Sequence, residues 1–555
     1  MTEEDALTRL THFLKNQDNS GPVFRYRHLR NIICEHPKFA DQAFALFKTA
    51  LHSDKNNYIS LRIAYSSLTR IVEKQPDLAE EALDLFKTAL QSDKNSYISI
   101  GSAYSSLAKI IQKHPAFTQK SLVLLKTAFR SNKNEYSSVG WGYQALAGII
   151  KKRPEIAEKC FDLFKTGFMS RKNDYDSMST AYKVLAEIIQ EKPEFSERSF
   201  DLFKEALSSD KNSYLSINTV YQTLTSMIKK HPEFSDKCLD LFKTALSSDK
   251  HDSYASEVAY ESLGVIAVNR PELTERCLEL FKKVLLSEQN DYRSMNLSYK
   301  ILLRIFKKQP ESADKIFELF EIALKSDKNK SVSLKTAYEA LSQIILYKSK
   351  FTPKGLELFQ TALKSDQNTN FSLTAAAESL IDVLGIIGNR PKLTEDVLHI
   401  LEVCKDIRNY TLDDTDENEQ LFEDDHYHRQ TYQSGFLYAL NNLLLTITDT
   451  HPDLARRTLA IASEYSPSDI FLPTFKSCMR RLPLEETLAR YPNIAQNLRI
   501  AHNGRFATNE EFHYALQSFD KSTLTKSNIF RMQQRVMNIL FSLSAEEDGI
   551  KKEDA

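Results

Sequence analysis

Bulky apolar residues recur along most of this chain at helical spacing, in stripes separated by short polar stretches. Between Tyr97 and Lys113, Tyr104, Leu107 and Ile110 recur at steps of three, which puts them on one face of a helix, and Tyr182, Leu185 and Ile188 repeat the set. A second stripe, Ala82, Phe86, Ala89 and Leu90, follows a Lys-His-Pro sequence or a variant of it. Proline fixes φ for a first helical turn and cannot continue the helix before it, so it divides the two stripes into two helices. Between successive pairs sits Ser-Asp-Lys-Asn, at Ser53 to Asn56, Ser92 to Asn95 and Ser209 to Asn212, residues suited to a turn and to capping the next helix.

The pairs are copies of one unit. Pro37, Pro76, Pro115, Pro154, Pro193, Pro232, Pro271 and Pro310 stand at a constant interval of 39 residues, and a tyrosine column from Tyr26 through Tyr65 and Tyr104 to Tyr338 keeps the same step. So does a phenylalanine column, Phe47, Phe86, Phe164, Phe203, Phe242, Phe281, Phe320 and Phe359, with Leu125 standing in once. One hairpin cannot bury its apolar stripe alone, and stacking on the next unit is what removes that surface from water. Small residues beside the tyrosines (Ala64, Ala103, Gly142, Ala181, Ala259, Ala337) let neighbouring helices approach closely. The expected fold is all-α: an α-α superhelix, or α-solenoid, of about nine helical-hairpin repeats with a helical C-terminal cap.

The array decays at its far end, where Ser349 replaces the proline, Ala377 replaces the tyrosine, and three extra residues delay the next proline to Pro391. Accordingly, residues 1–35 are expected to hold N-terminal capping helices and the first half-repeat, and 36–391 the repeats. Residues 392–452 would form a degenerate repeat with an acidic loop around Asp413 to Asp425. Residues 453–555 would form a helical cap, including a helix over Asn528 to Leu543, with a charged, disordered tail from Ala545.

The run Tyr97-x2-Ile100-Gly101-x2-Tyr104 resembles the Trp-x2-Leu-Gly-x2-Tyr opening of a tetratricopeptide repeat, and Tyr136-x2-Val139-Gly140-x2-Tyr143 repeats it. Ala82-x3-Phe86 is similar to the Ala-x3-Phe continuation of that family, and the resemblance covers about residues 19–391. Two features depart from that family, the longer period and a proline placed between the helices of the unit; the length of the period also suits a HEAT-like array. Either resemblance implies that the tyrosine-bearing helices form a concave wall.

Composition changes this picture little. Lys+Arg 73 against Asp+Glu 74 gives a net charge of -1, so the whole-protein field offers no attraction to nucleic acid or an acidic membrane. The acidic start MTEEDALTRL lacks the pattern of a secretory signal, and no stretch has the apolar length of a membrane span, so a cytoplasmic protein without membrane insertion is expected. The acid-rich tail (Glu546, Glu547, Asp548, Glu553, Asp554) keeps open export into a host cell by a signal-peptide-independent system. Six cysteines in a chain of this length do not suggest a disulfide framework.

Candidate binding residues come from positions where otherwise similar units differ, because a core site cannot vary freely whereas a ligand-facing site can. These are Ser102 and Trp141 just before the small residue, and Gln144, Lys183, Gln222, Glu261 and Lys300 just after the tyrosine. Trp141, the only tryptophan, is the strongest anchor candidate, against the alternative of an aromatic filling a gap between helices. Asn95, Asn134, Asn173 and Asn212 belong to a column, with His251 in its gap, that either binds the backbone of an extended peptide or caps helices. The lysine column Lys48 to Lys282 is interleaved with Asp84, Asp162, Asp201 and Asp240 and reads as a solvated face.

No catalytic, cofactor or metal motif appears. The chain has no phosphate loop, nucleophile elbow, zinc His-Glu-x-x-His or paired-cysteine pattern. His426 and His428 beside Glu423, Asp424 and Asp425 offer divalent-ion ligands but read better as a solvated loop, and Cys238 and Cys277 read as small core residues. The function expected is therefore non-enzymatic: a scaffold binding a peptide or protein partner along the concave groove, with no cofactor. Single-stranded nucleic-acid binding is the alternative, disfavoured by charge. Neither the partner nor an oligomeric state is legible.

Overall fold

The computed structural model describes residues 2–15, 21–135, 137–248, 250–387, 391–403, 426–464, 474, 477–478 and 481–482. Among these, every regular element is helical, and the chain divides into two compact units, Met1–Val284 and Leu285–Ala555. The acidic loop, the helix expected over 528–543 and the charged tail lie outside the described residues.

In the first unit α1 (Glu3–Lys15) precedes seven hairpins: α2 (Pro22–Glu35) with α3 (Ala40–Leu51), α4 (Tyr58–Lys74) with α5 (Ala79–Leu90), and α6 (Tyr97–Lys113) with α7 (Thr118–Phe129). Then come α8 (Ser138–Lys152) with α9 (Ala157–Phe168), α10 (Tyr175–Glu191) with α11 (Ser196–Leu207), α12 (Tyr214–Lys230) with α13 (Ser235–Leu246), and α14 (Ser253–Asn269) with α15 (Thr274–Leu285). The second unit continues with α16 (Tyr292–Lys308) and α17 (Ala313–Leu324), α18 (Ser331–Tyr347) and α19 (Thr352–Leu363), α20 (Asn370–Ile387) and α21 (Pro391–Val403), and α22 (His426–Thr450) and α23 (Ala455–Glu464). The first helix of each pair is called A and the second B; from α2 to α19 the A helix carries the column tyrosine and the B helix a phenylalanine. This proline-divided hairpin, stacked on copies of itself, is a HEAT-like α-solenoid repeat.

Each repeat proline opens a separate 3-10 turn, such as Pro76–Leu78, and the B helix starts three residues later. The cause is the residue before proline, which is barred from the helical region. Gln75 accordingly sits at φ -131, ψ 76, while its N–H still closes the A helix on Ile71 O at 2.7 Å. The turn Ser349–Phe351 survives without a proline, so the surrounding packing also specifies it.

The core is a ladder of ring pairs. Every column tyrosine from Tyr26 to Tyr338 is fully buried and meets the B-helix phenylalanine of its own repeat, with Tyr65 and Phe86 at 4.8 Å between centroids and Tyr221 and Phe242 at 4.5 Å. Where Leu125 replaces that phenylalanine, Phe129 one helical turn later supplies the ring, 4.9 Å from Tyr104. The space it needs comes from Gly142, where an added Cβ would meet Phe129 Cζ at 2.5 Å. Within each unit the A helices of successive repeats pack closely along their length and the B helices touch more sparingly.

Candidate interaction surface

The asparagine column belongs to the interior. Asn95 is buried; its Nδ2 donates to Ala89 O at 2.7 Å and Ser92 O at 3.1 Å, closing the end of α5. Its Oδ1 accepts from the Tyr65 hydroxyl and from Ser99 Oγ, both at 2.9 Å. One amide thus ties an A helix, the B helix after it and the start of the next A helix. Asn134 and Asn212 do the same, and buried Asn173 turns its amide toward Met178 Sδ at 3.0 Å. Helix capping falls to the following residue: Asn57 accepts from Ser60 N at 3.0 Å, and Asp174 from Ser177 N at 2.9 Å. None of the four asparagines presents its amide to solvent, which corrects the expectation of an amide column along a binding wall.

The variable positions are at the surface. Gln144, Lys183, Gln222 and Glu261 are exposed in the first unit and Lys300 in the second, while Ser102 and Trp141 are half-buried. Trp141 lies across α6: a Cβ at Gly101 would overlap its indole, and its rings stand 6.4 Å from the Tyr97 ring. Glycine is needed there because the indole occupies the place a side chain would take. Trp141 therefore fills a gap between A helices while remaining only half-buried.

A second aromatic column went unused in the sequence reading except as a family mark. Tyr58, Tyr175 and Tyr214, in the first turn of their A helices, are 41%, 42% and 42% exposed, and Tyr254 is 51% exposed, too much for core residues. Tyr97 and Tyr292 continue the column half-buried, and Tyr136 lies outside the described residues. The interval of 39 residues from Tyr58 to Tyr214 was the available signal. Ile59 and Leu215 add exposed apolar area on two of the same helices, and Phe24 adds it on α2.

Charge is distributed unevenly. On the B helices cations bridge carboxylates of the preceding repeat, as Lys120 does to Glu80 at 2.5 Å and Asp84 at 2.9 Å, and Arg198 to Glu158 at 3.5 Å and Asp162 at 3.6 Å. Such exposed pairs contribute little individually. On α2, α4 and α6, by contrast, Arg27, Arg62, Arg70 and Lys109 are exposed without an ion pair among the described residues. Among the described residues Arg30 bonds the neutral Asn31 Oδ1, and burial, then the charges of Arg70 and Arg27, hold its pKa below the usual arginine value, opposed by Cys34 and Glu35.

His251, in the asparagine column, hydrogen-bonds the Tyr221 hydroxyl through Nδ1 at 2.9 Å and Ser256 Oγ through Nε2 at 3.0 Å. Burial lowers its pKa, opposed by Asp252. Cys34, Cys160, Cys238, Cys277 and Cys478 are free thiols, and burial pushes those of Cys238 and Cys277 up to about 12, as suits inert core residues. Among the described residues no group of three or more His, Cys, Asp and Glu could hold a metal ion. The acidic partners of His426 and His428 lie outside those residues. No helix among them is long and apolar enough to cross a membrane.

No protein-family model matches the chain, and no curated protein matches it. Solved structures that it resembles include Kap121p bound to Ste12p, at 14% identity and TM-score 0.36, covering 89% of this chain and 53% of that one. Kap121p bound to the extreme C-terminus of the protein phosphatase Cdc14p matches at 13% identity and TM-score 0.34, covering 96% and 56%. Kap121p bound to RanGTP matches at 13% identity and TM-score 0.31, covering 90% and 57%. The chain spans about half the length of these Kap121p chains. At such TM-scores the likeness says nothing of function.

Proposed function

We propose that the chain is a non-enzymatic scaffold that binds a peptide or protein partner along the surface formed by its A helices. The observation that carries this reading is the set of half-buried and exposed aromatics, Trp141, Tyr58, Tyr175 and Tyr214, fixed on helices whose buried faces are fully committed to ring pairs and tyrosine–asparagine bonds. A preformed surface binds at low ordering cost, and interface energy concentrates in such aromatic anchors. Within each unit the A helices pack more closely than the B helices, which favours a concave A face there. The sequence supports the non-enzymatic half of the reading, since no acid, base and nucleophile are brought together by any motif in it. Trp141→Ala and Lys183→Glu, each checked for an intact fold by circular dichroism, are expected to weaken a partner captured by the wild-type chain; unchanged retention of that partner by both would defeat the proposal.

A further inference from the structure

The A-helix face is not uniform. Across α2, α4 and α6 the exposed charged residues are Arg27, Arg62, Arg70, Lys74, Lys109 and Lys113 against the single carboxylate Glu35, with Arg25, Arg30 and Glu73 half-buried. The acidic Glu73 of α4 is already bound by Lys113 at 2.7 Å. Mutual proximity shows in the electrostatics, because Arg70 and Arg27 both press on Arg30, and Arg30, Arg70 and Lys74 all act on Cys34, with Glu35 opposing them at both sites. Lys109 repeats the place of Arg70 one A helix along, and adjacent helices lie about 8–10 Å apart. Like charges at this spacing repel, and although Glu35 offsets part of the charge on Arg30, no ion pair among the described residues holds Arg27, Arg62, Arg70 or Lys109. Apolar side chains lie between them: Phe24 and Ile59 are exposed, and Ile63 and Ile98 half-exposed.

We infer that this face of α2, α4 and α6 is the docking site for an acidic segment of a partner protein, one that alternates carboxylates with bulky apolar side chains. The inference rests on the scaffold reading and specifies the partner's chemistry. Carboxylates would neutralise the unpaired guanidinium groups bidentately, and aliphatic side chains would cover the isoleucines. A nucleic-acid strand fits less well. Tracking phosphates along the repeats needs a cation on each rung, yet the equivalent positions farther along interrupt Lys183, Lys300 and Arg304 with Gln144, Gly148, Glu187 and Glu261.

The test selects short random peptides on the full-length chain by display, then measures the enriched peptides, fluorescein-labelled, by anisotropy against wild type and against Arg27→Glu/Arg62→Glu/Arg70→Glu/Lys109→Glu. Enrichment of Asp and Glu with Leu, Ile or Phe, and binding weaker by about tenfold or more in the charge-reversed variant, is the expected result. A milder set, the same four positions changed to Gln, keeps the test decisive where charge reversal disrupts the fold, and should give an intermediate loss. Enriched peptides without acidic bias, or acidic ones indifferent to both sets, would overturn the inference while leaving the scaffold reading in place. Failure to enrich any peptide would overturn both. Tighter binding of a mixed single-stranded DNA oligonucleotide than of any peptide, lost in the same variants, would overturn it in favour of nucleic acid.

Discussion

The hydroxyl of Tyr65 donates to Oδ1 of Asn95 at 2.9 Å, across thirty residues of sequence, and the same amide closes the end of the helix between them. Removing the amide is worse than removing the hydroxyl. Asn95→Ala strands the buried Tyr65 hydroxyl, which costs about 1–3 kcal/mol, and takes a further bond each from the carbonyls of Ala89 and Ser92, which keep only backbone N–H partners. Tyr65→Phe leaves Asn95 its other partners and should cost about 1 kcal/mol. Urea unfolding of the two variants is expected to rank them in that order, and equal midpoints would refute the three-way role of the asparagine.

Gly101→Ala is a test of Trp141. The new Cβ takes space the indole holds, so the ring must move outward. Because Trp141 is the only tryptophan, its fluorescence reads this directly: emission shifts to longer wavelength and acrylamide quenching increases. Overpacking of this kind costs about 1–3 kcal/mol. An unshifted spectrum would place the indole elsewhere.

The exchange of Leu125 and Phe129 predicts strong non-additivity. Gly142→Ala alone presses on Phe129 and destabilises the chain. Combined with Leu125→Phe and Phe129→Leu, it recreates the arrangement of neighbouring repeats and should recover stability close to wild type. Thermal melts of the single and triple variants decide this; a triple variant as weak as the sum of its parts would show that the ring is not transferable.

Acidification should weaken the repeat containing His251. Its pKa in the fold is lowered by burial, so the unfolded chain binds a proton first as pH falls below the ordinary histidine value. Stability is therefore complete above that value and lost as pH descends toward the folded one. His251→Asn, which restores the residue found in neighbouring repeats, should flatten this dependence between neutral and mildly acidic pH. Hydrogen exchange at the start of α14 across that interval is the measurement, and an unchanged profile in the variant would assign the pH dependence to other groups.

Periodicity made the fold legible because each buried column tolerates few residue types. The tyrosine and phenylalanine columns, and the A helix at Tyr97–Lys113, all follow from spacing. The asparagines were harder, since a polar residue in a turn reads equally as a cap or as a surface group, and only coordinates show that Ala89 O and the Tyr65 hydroxyl converge on Asn95. Trp141 was legible as exceptional but not as seated on Gly101, because that contact joins residues forty apart on different helices. The exposed aromatics of the first A-helix turns shared the same period and went unseen for a related reason: regularity alone does not say which face a column points to. The cationic cluster was masked by a net charge near zero.

The asparagine bond also sets the grain at which this chain can change length. Tyr65, Ala89, Asn95 and Ser99 complete their contacts within a single repeat and the first turn of the next. A whole copy inserted or removed therefore brings its own partners, while a partial one leaves a tyrosine without an acceptor. Binding reach can thus be extended or shortened by gene-level duplication or loss in steps of one module, provided the neighbouring repeats joined by Gly101 with Trp141 and by Phe129 with Gly142 stay together.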